Sequence, residues 1–143
     1  MNRDPKLLIQ ERIWSALAEL LPNLPQPDSD GDWPVPVGER MVFVRSSLEP
    51  VPGILVFAGV ARSISPDALS ELNSLNGSAA WVKFLRADNG DVFVQQRLPL
   101  SAVGVSSLAL AIHAVGTCAN DTEPMLAAMY GGFSADTDVP DVA

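Results

Sequence analysis

The chain has 143 residues, 48% hydrophobic and 18% charged, which suits one folded domain with its own core and excludes a disordered polypeptide. A formal charge of −8 argues against nucleic acid and anionic membrane surfaces as partners, because phosphates need a basic counterpart. The single cysteine, Cys118, excludes an internal disulfide and suits a reducing cytoplasm.

In chain order, the start MNRDPKLLIQER has an apolar run cut by charges before it reaches the length of a secretory signal. Asp4-Pro5 pairs a capping side chain with proline at the first helical position and opens a helix. Leu7, Leu8, Ile9, Ile13, Trp14, Leu17, Leu20 and Leu21 give that helix a broad apolar stripe. Segment 22–38 holds five prolines together with Asp28, Asp30 and Asp32, and reads as an irregular loop with room for one strand near Val35 to Val37. Two strands, Arg40 to Ser46 and Gly53 to Arg62, follow across a Pro50/Pro52 turn.

Ser65-Pro66 repeats the cap-plus-proline start, opening a short helix to about Asn76 that Gly77 is placed to end. WVKFLRAD and DVFVQQRL then flank Asn89-Gly90, which predicts a hairpin with a two-residue type I′ turn. From Leu98 to Asn120 the chain carries no formal charge. Its serines, glycines and Pro99, and the lack of a flanking basic cluster, favour a buried core helix over a membrane span. Asn120-Asp121-Thr122 and Pro124 are expected to bend or restart that helix before Gly131-Gly132 closes the fold.

The order α-β-β-α-β-β-α, with one optional further strand, predicts an α+β fold: a mainly antiparallel sheet with packed helices. Residues 1–132 form one domain in this reading, and 133–143 an acidic flexible tail.

The residues that would carry chemistry are missing. His113, the one histidine, lies in an apolar helical pattern with no nucleophile-elbow serine to serve. Cys118 has no metal-spaced partner, and no glycine-rich phosphate loop occurs. Asp28, Asp30 and Asp32 have the spacing of a calcium loop, but the glutamate that completes one is absent. A solvated acidic loop is the preferred reading, with weak calcium binding as the alternative. No catalytic residue, metal site or cofactor site is assigned.

A binding face is a different matter. Pairing outward from a two-residue Asn89-Gly90 turn sets Arg86 opposite Phe93. Ala87, Leu85, Lys83 and Trp81 then share the core face with Val92, Val94, Gln96 and Leu98. Val82, Phe84, Arg86, Phe93, Gln95 and Arg97 fall on the other face, an apolar-aromatic surface with basic neighbours of the kind interfaces use. Six of the nine basic residues, Arg40, Arg45, Arg62, Lys83, Arg86 and Arg97, lie in or beside predicted strands. Such a face suits a partner segment, a second copy of the chain, or the chain's own tail. The asparagines of L-N-S-L-N (Leu72 to Asn76) read as structural: Asn76 at the helix end, and Asn73 bonding the backbone that leads into the Trp81 strand.

The L-N-S-L-N pattern, the aromatic strand, the Asn-Gly turn, L-P-L (Leu98 to Leu100), the apolar helix and M-Y-G-G (Met129 to Gly132) together resemble the YbjN-like domains. These are related to the peptide-binding, CesT-like chaperones of type III secretion, and the resemblance extends to the similar actinobacterial set. The resemblance covers about Leu7 to Gly132 and leaves the proline-rich loop and acidic tail unaccounted for. It implies a non-enzymatic, cytoplasmic chaperone or adaptor, a small acidic dimer that holds an extended segment of a client protein. It brings no shared catalytic residues and no cofactor. The alternative is a structural subunit of a permanent homodimer or hetero-complex.

Overall fold

The structure, a computed structural model, describes residues 4–78 and 81–135. Helix α1 (Pro5–Leu20) starts where the Asp4 carboxylate accepts from the Lys6 N–H. It buries Ile9, Ile13, Ala16 and Leu17, one face of the stripe, and leaves Leu7 and Trp14 outside. The stripe is wider than the face α1 packs against β2, β3 and α3, so its flank stays in water.

Strands β1 (Trp33–Val37), β2 (Arg40–Ser47) and β3 (Gly53–Arg62) follow as an antiparallel meander. The proline-rich segment is therefore partly strand: WPVPV pairs with β2 along the sheet edge. Prolines fit there because alternate residues of an edge strand turn their nitrogens away from the ladder. The Ser65 hydroxyl accepts from the Asp67 N–H and opens a 3-10 turn that runs into α2 (Leu69–Ser78). Gly77 does not end α2, which continues through Ser78.

The hairpin of β4 (Lys83–Arg86) and β5 (Val92–Pro99) departs from the predicted register. A type I′ turn needs positive φ at both central residues. Gly90 has φ +96°, but Asn89 does not share that conformation. The Gly90 N–H donates to the Ala87 carbonyl and the Ala87 N–H to the Asp91 carbonyl, which makes a three-residue loop with a glycine bulge. Arg86 now pairs with Val92 and Leu85 with Phe93, one residue away from the predicted pairing. A one-residue slip turns every β4 side chain to the opposite face.

The sheet order is β1-β2-β3-β5-β4, with β6 (Phe133–Ser134) pairing the end of β3. Phe133 and Ser134 thus belong to the sheet, beyond the boundary at 132 read from the sequence; residues 136–143 lie outside the described residues. Positive φ at Gly131 and Gly132 turns the chain from α3 (Val105–Tyr130) into β6. A Cβ on Gly132 would collide with the Arg62 carbonyl oxygen.

Helix α3 runs unbroken through Pro124. Pro124 and Asn120, whose carbonyl loses its helical donor, are both exposed, so water can replace the missing bond. Leu108, Ala111, Ile112, Val115, Ala119 and Leu126 of α3 enter the core. Among the described residues no helix is long and apolar enough to cross a membrane.

Helices α1 and α3 cover one face of the sheet, where Val42, Val44, Ile54, Val56, Ala58, Val60, Val92 and Val94 are buried. Helix α2 packs against β4. Within this core sits one guanidinium. Buried Arg40 donates to the carbonyls of Gly59 and Val60 at 2.6 and 3.2 Å and to Asn120 Oδ1 on α3 at 2.9 Å. Replacing Arg40 with Met would leave those carbonyls without the donor, at a cost of about 2–4 kcal/mol. Urea titration should show that loss as a lower midpoint with an unchanged slope.

Candidate functional site

Among the described residues the far face of the sheet carries no helix, and its side chains are set by the registers. Three cross-strand rows result. Arg45, Leu55 and Arg97 form the first; Phe43, Phe57, Gln95 and Lys83 the second; Gly59, Phe93 and Leu85 the third. Met41 lies beside the third row, and Pro34 and Pro36 extend the face onto β1. Leu85 and Met41 are 43% and 41% exposed, large apolar side chains in water. The face is thus apolar at the Phe93 end and cationic at the Arg97 end.

Its middle is ordered by stacking. The rings of Phe43 and Phe57 lie 5.5 Å apart at 24°, and the Arg45 guanidinium sits 4.8 Å over Phe57. Arg45 is held from the other side by Asp32, with Nε–Oδ1 at 2.6 Å and Nη2–Oδ2 at 2.8 Å. That two-pronged hydrogen bond holds the Arg45 pKa above its ordinary value. Among the described residues Lys83 and Arg97 pair with no carboxylate; Arg97 donates to the Ser47 hydroxyl and the Glu49 carbonyl. Two hollows flank the rows. One, of about 400 Å³, is lined by Met41, Phe43, Phe57, Gly59, Phe93 and neighbours. The other, about 760 Å³, lies at the open end of the hairpin between Asn76, Trp81, Lys83 and Arg97.

Of the six residues singled out in the sequence, the structure places Phe93, Gln95 and Arg97 on this face. Val82 and Phe84, 4% and 5% exposed, are in the core, and the half-buried Arg86 donates to the Ile64 carbonyl at 2.9 Å. The bulged turn is the physical reason: it moves Lys83 and Leu85 outward in their place. Of the strand cations, Arg40 is also internal. Arg45, named among the strand cations, lies on this face, whereas Met41, Phe43, Leu55 and Phe57 are not singled out in the sequence. Their signal was the alternation in MVFVR and ILVFA, where Val42, Val44, Ile54 and Val56 take the core side.

The backbone bonds expected of Asn73 are made by Asn76 instead. The Asn76 side-chain amide pairs with the Phe84 backbone like a further strand residue: its Nδ2 donates to the carbonyl at 3.0 Å and its Oδ1 accepts from the N–H at 2.6 Å. Asn73 is exposed. Asp28, Asp30 and Asp32 bring their carboxylates within 4.8 Å of one another. However, Asp28 Oδ1 accepts from the Asp30 and Asp32 N–H groups, and both Asp32 oxygens hold Arg45. The Asp28 carboxylate shapes the loop and the Asp32 carboxylate holds Arg45. His113 is exposed on α3. Burial, and secondarily Asp121, pushes the Cys118 thiol pKa up. Among the described residues no buried side-chain polar atom lacks a hydrogen-bond partner.

This geometry defines a one-sided α+β domain that presents an open, amphipathic sheet face. Over residues 8–138 the chain matches the TY-Chap1 family, described as T3SS (YopN, CesT) and YbjN peptide-binding chaperone 1, and it belongs to that family. Solved structures share the fold. The ExsC–ExsE complex matches at 15% identity and TM-score 0.66, over 87% of this chain and 97% of that one. The heterodimeric ExoU–SpcU complex of the Pseudomonas aeruginosa type III secretion system matches at 20% identity and TM-score 0.59, over 80% and 97%. YbjN from E. coli matches at 16% and 0.59, over 81% and 92%. No curated protein matches the sequence significantly.

Replacing Asn76 with Ala should destabilise the fold by about 1–2 kcal/mol and speed hydrogen exchange at the Phe84 amide by roughly tenfold, whereas Asn73→Ala should change neither. Cys118, with its raised pKa, should be alkylated more slowly in the native protein than in urea at the same pH, because less of it is thiolate. Timed mass spectrometry reads that difference directly.

Proposed function

We propose that this protein is a non-enzymatic, cytoplasmic chaperone or adaptor that holds an extended segment of a client protein against the open face of its sheet. The observation that carries this reading is the face itself: apolar rows of Phe43, Phe57, Phe93 and Leu85 beside Lys83 and Arg97, which among the described residues pair with no carboxylate, with no described helix packed over them. Membership of a peptide-binding chaperone family supports it. Rings and aliphatic side chains would supply affinity, and the cations would select acidic or carbonyl-rich neighbours in the client.

A permanent homodimer is the second reading. It is favoured by a separate apolar hollow between Trp81 and Leu110, side chains 77% and 70% exposed, beside Leu98 and Ala114. This hollow adjoins the one beside Lys83 and Arg97 at Trp81, and the apolar rows of the sheet face lie outside it.

The test is capture from native cells with a tagged copy, followed by mass spectrometry, beside the double variant Lys83→Glu/Arg97→Glu. Both positions are exposed, so the variant should fold normally. Specific proteins should co-purify with the native chain and bind the variant at least about tenfold more weakly, a loss of about 1.4 kcal/mol. Equal capture by both would remove this face from the proposal.

A further inference from the structure

The protein has a charge of −8, yet among the described residues no acidic side chain lines the hollow that Lys83 and Arg97 share with Asn76, Trp81, Gln95 and Gln96. The third cation of the face, Arg45, is already taken: Asp32 accepts from its Nε and Nη2. Arg97 is bonded differently. Its Nη1 donates to the Ser47 hydroxyl at 3.2 Å and to the Glu49 carbonyl at 3.3 Å, which holds the guanidinium against the end of β2. Among the described residues its Nε and Nη2 carry no bond, and these are the atoms by which Arg45 grips a carboxylate. Both polar atoms of the Asn76 side chain are committed to Phe84. The hollow therefore offers a carboxylate one oriented guanidinium fork and one ammonium, with the exposed Trp81 ring as an apolar wall.

The spacing to the apolar end of the face adds a second constraint. Phe93 and Arg97 lie on the same side of β5, four residues and about 13 Å apart. Phe93 shares its hollow with Met41, Phe43 and Phe57, and the two charged residues that also line it, Arg62 and Asp91, are of opposite sign. Uncompensated positive charge is thus confined to the Arg97 end. An extended segment laid over β5 has the same repeat: side chains i and i+4 point to one side, about 13 Å apart.

We propose that the client segments selected by this face are acidic and amphipathic, with a large apolar side chain seated at Phe93 and, four residues away, an aspartate or glutamate held by Lys83 and Arg97. This rests on the peptide-binding reading of the face and names the class of segment it takes. Burial at Phe93 supplies affinity, and the carboxylate fixes the register, because a slip of one residue turns both anchors away from the face.

The test is panning of a phage-displayed random dodecapeptide library on the full-length chain, with the recovered peptides then resynthesised and measured by fluorescence anisotropy. The expected peptides carry Asp or Glu four residues from Phe, Leu, Ile or Met. Replacing that acid in the peptide with its amide should weaken binding to the native chain at least about tenfold and change binding to Lys83→Glu/Arg97→Glu little. Recovered peptides without the spaced carboxylate, or an amide penalty that persists in the variant, would overturn the proposal and leave the chaperone reading intact. A native chain that selects no peptide at all would remove both. Slower sedimentation of the variant than of the native chain, each without peptide, would assign the two cations to contacts between copies and overturn the proposal as well.

Discussion

Strand β3 has ten residues whose hydrogen-bonding groups must be satisfied on both edges, and no single neighbour does this. On one edge β5 runs nearly its whole length. On the other, β2 pairs only from Gly53 to Phe57, and β6 takes over at Ala61 and Arg62. The gap between them is filled by the buried Arg40 guanidinium, which bonds Gly59 and Val60 and ties both to α3. One charged side chain thus stands where a length of strand is missing. It lets β2 diverge while the end of the chain returns to the sheet beside it.

That arrangement also decides where the free surface lies. Both long helices are drawn to the valine-rich side of the sheet, and among the described residues no helix packs on the side with Phe43, Phe57 and Phe93. An uncovered apolar face is costly in water, and here the cost is moderated by ring stacking and by the Arg45 stem over Phe57. The acidic loop contributes directly, since Asp32 fixes Arg45 in that position. A protein of charge −8 can therefore present a basic-aromatic face: its acids are concentrated in loops and at its end, its cations in strands.

The fold is shared with ExsC–ExsE and YbjN at identities of only 15% and 16%. A scaffold of this kind sets which face is open, and the side chains on that face set what it holds. Its most protected backbone edge obeys the same logic. β4 ends the sheet, and the Asn76 amide blocks its outward groups at Phe84, which discourages pairing by a further strand there. An extended segment is then better accommodated across the face than along that edge.

The sequence by itself determined the elements that depend on local signals. Asp4-Pro5 and Ser65-Pro66 start their helices as read, β2 and β3 fall within a residue of their expected limits, and the charge-free stretch is a core helix. These features arise from caps, proline geometry and periodicity, which act over a few residues. Tertiary structure decided the rest. WPVPV is a strand because β2 supplies the pairing that its prolines cannot encode. The Asn89-Gly90 hairpin took a bulged turn, compatible with the same two residues, and the slip sent Phe84 inward and Lys83 outward. Arg40, Arg86 and Arg97 look alike in the chain, yet two bond internal carbonyls and one reaches solvent. Those differences arise between residues tens of positions apart, where only packing brings the partners together.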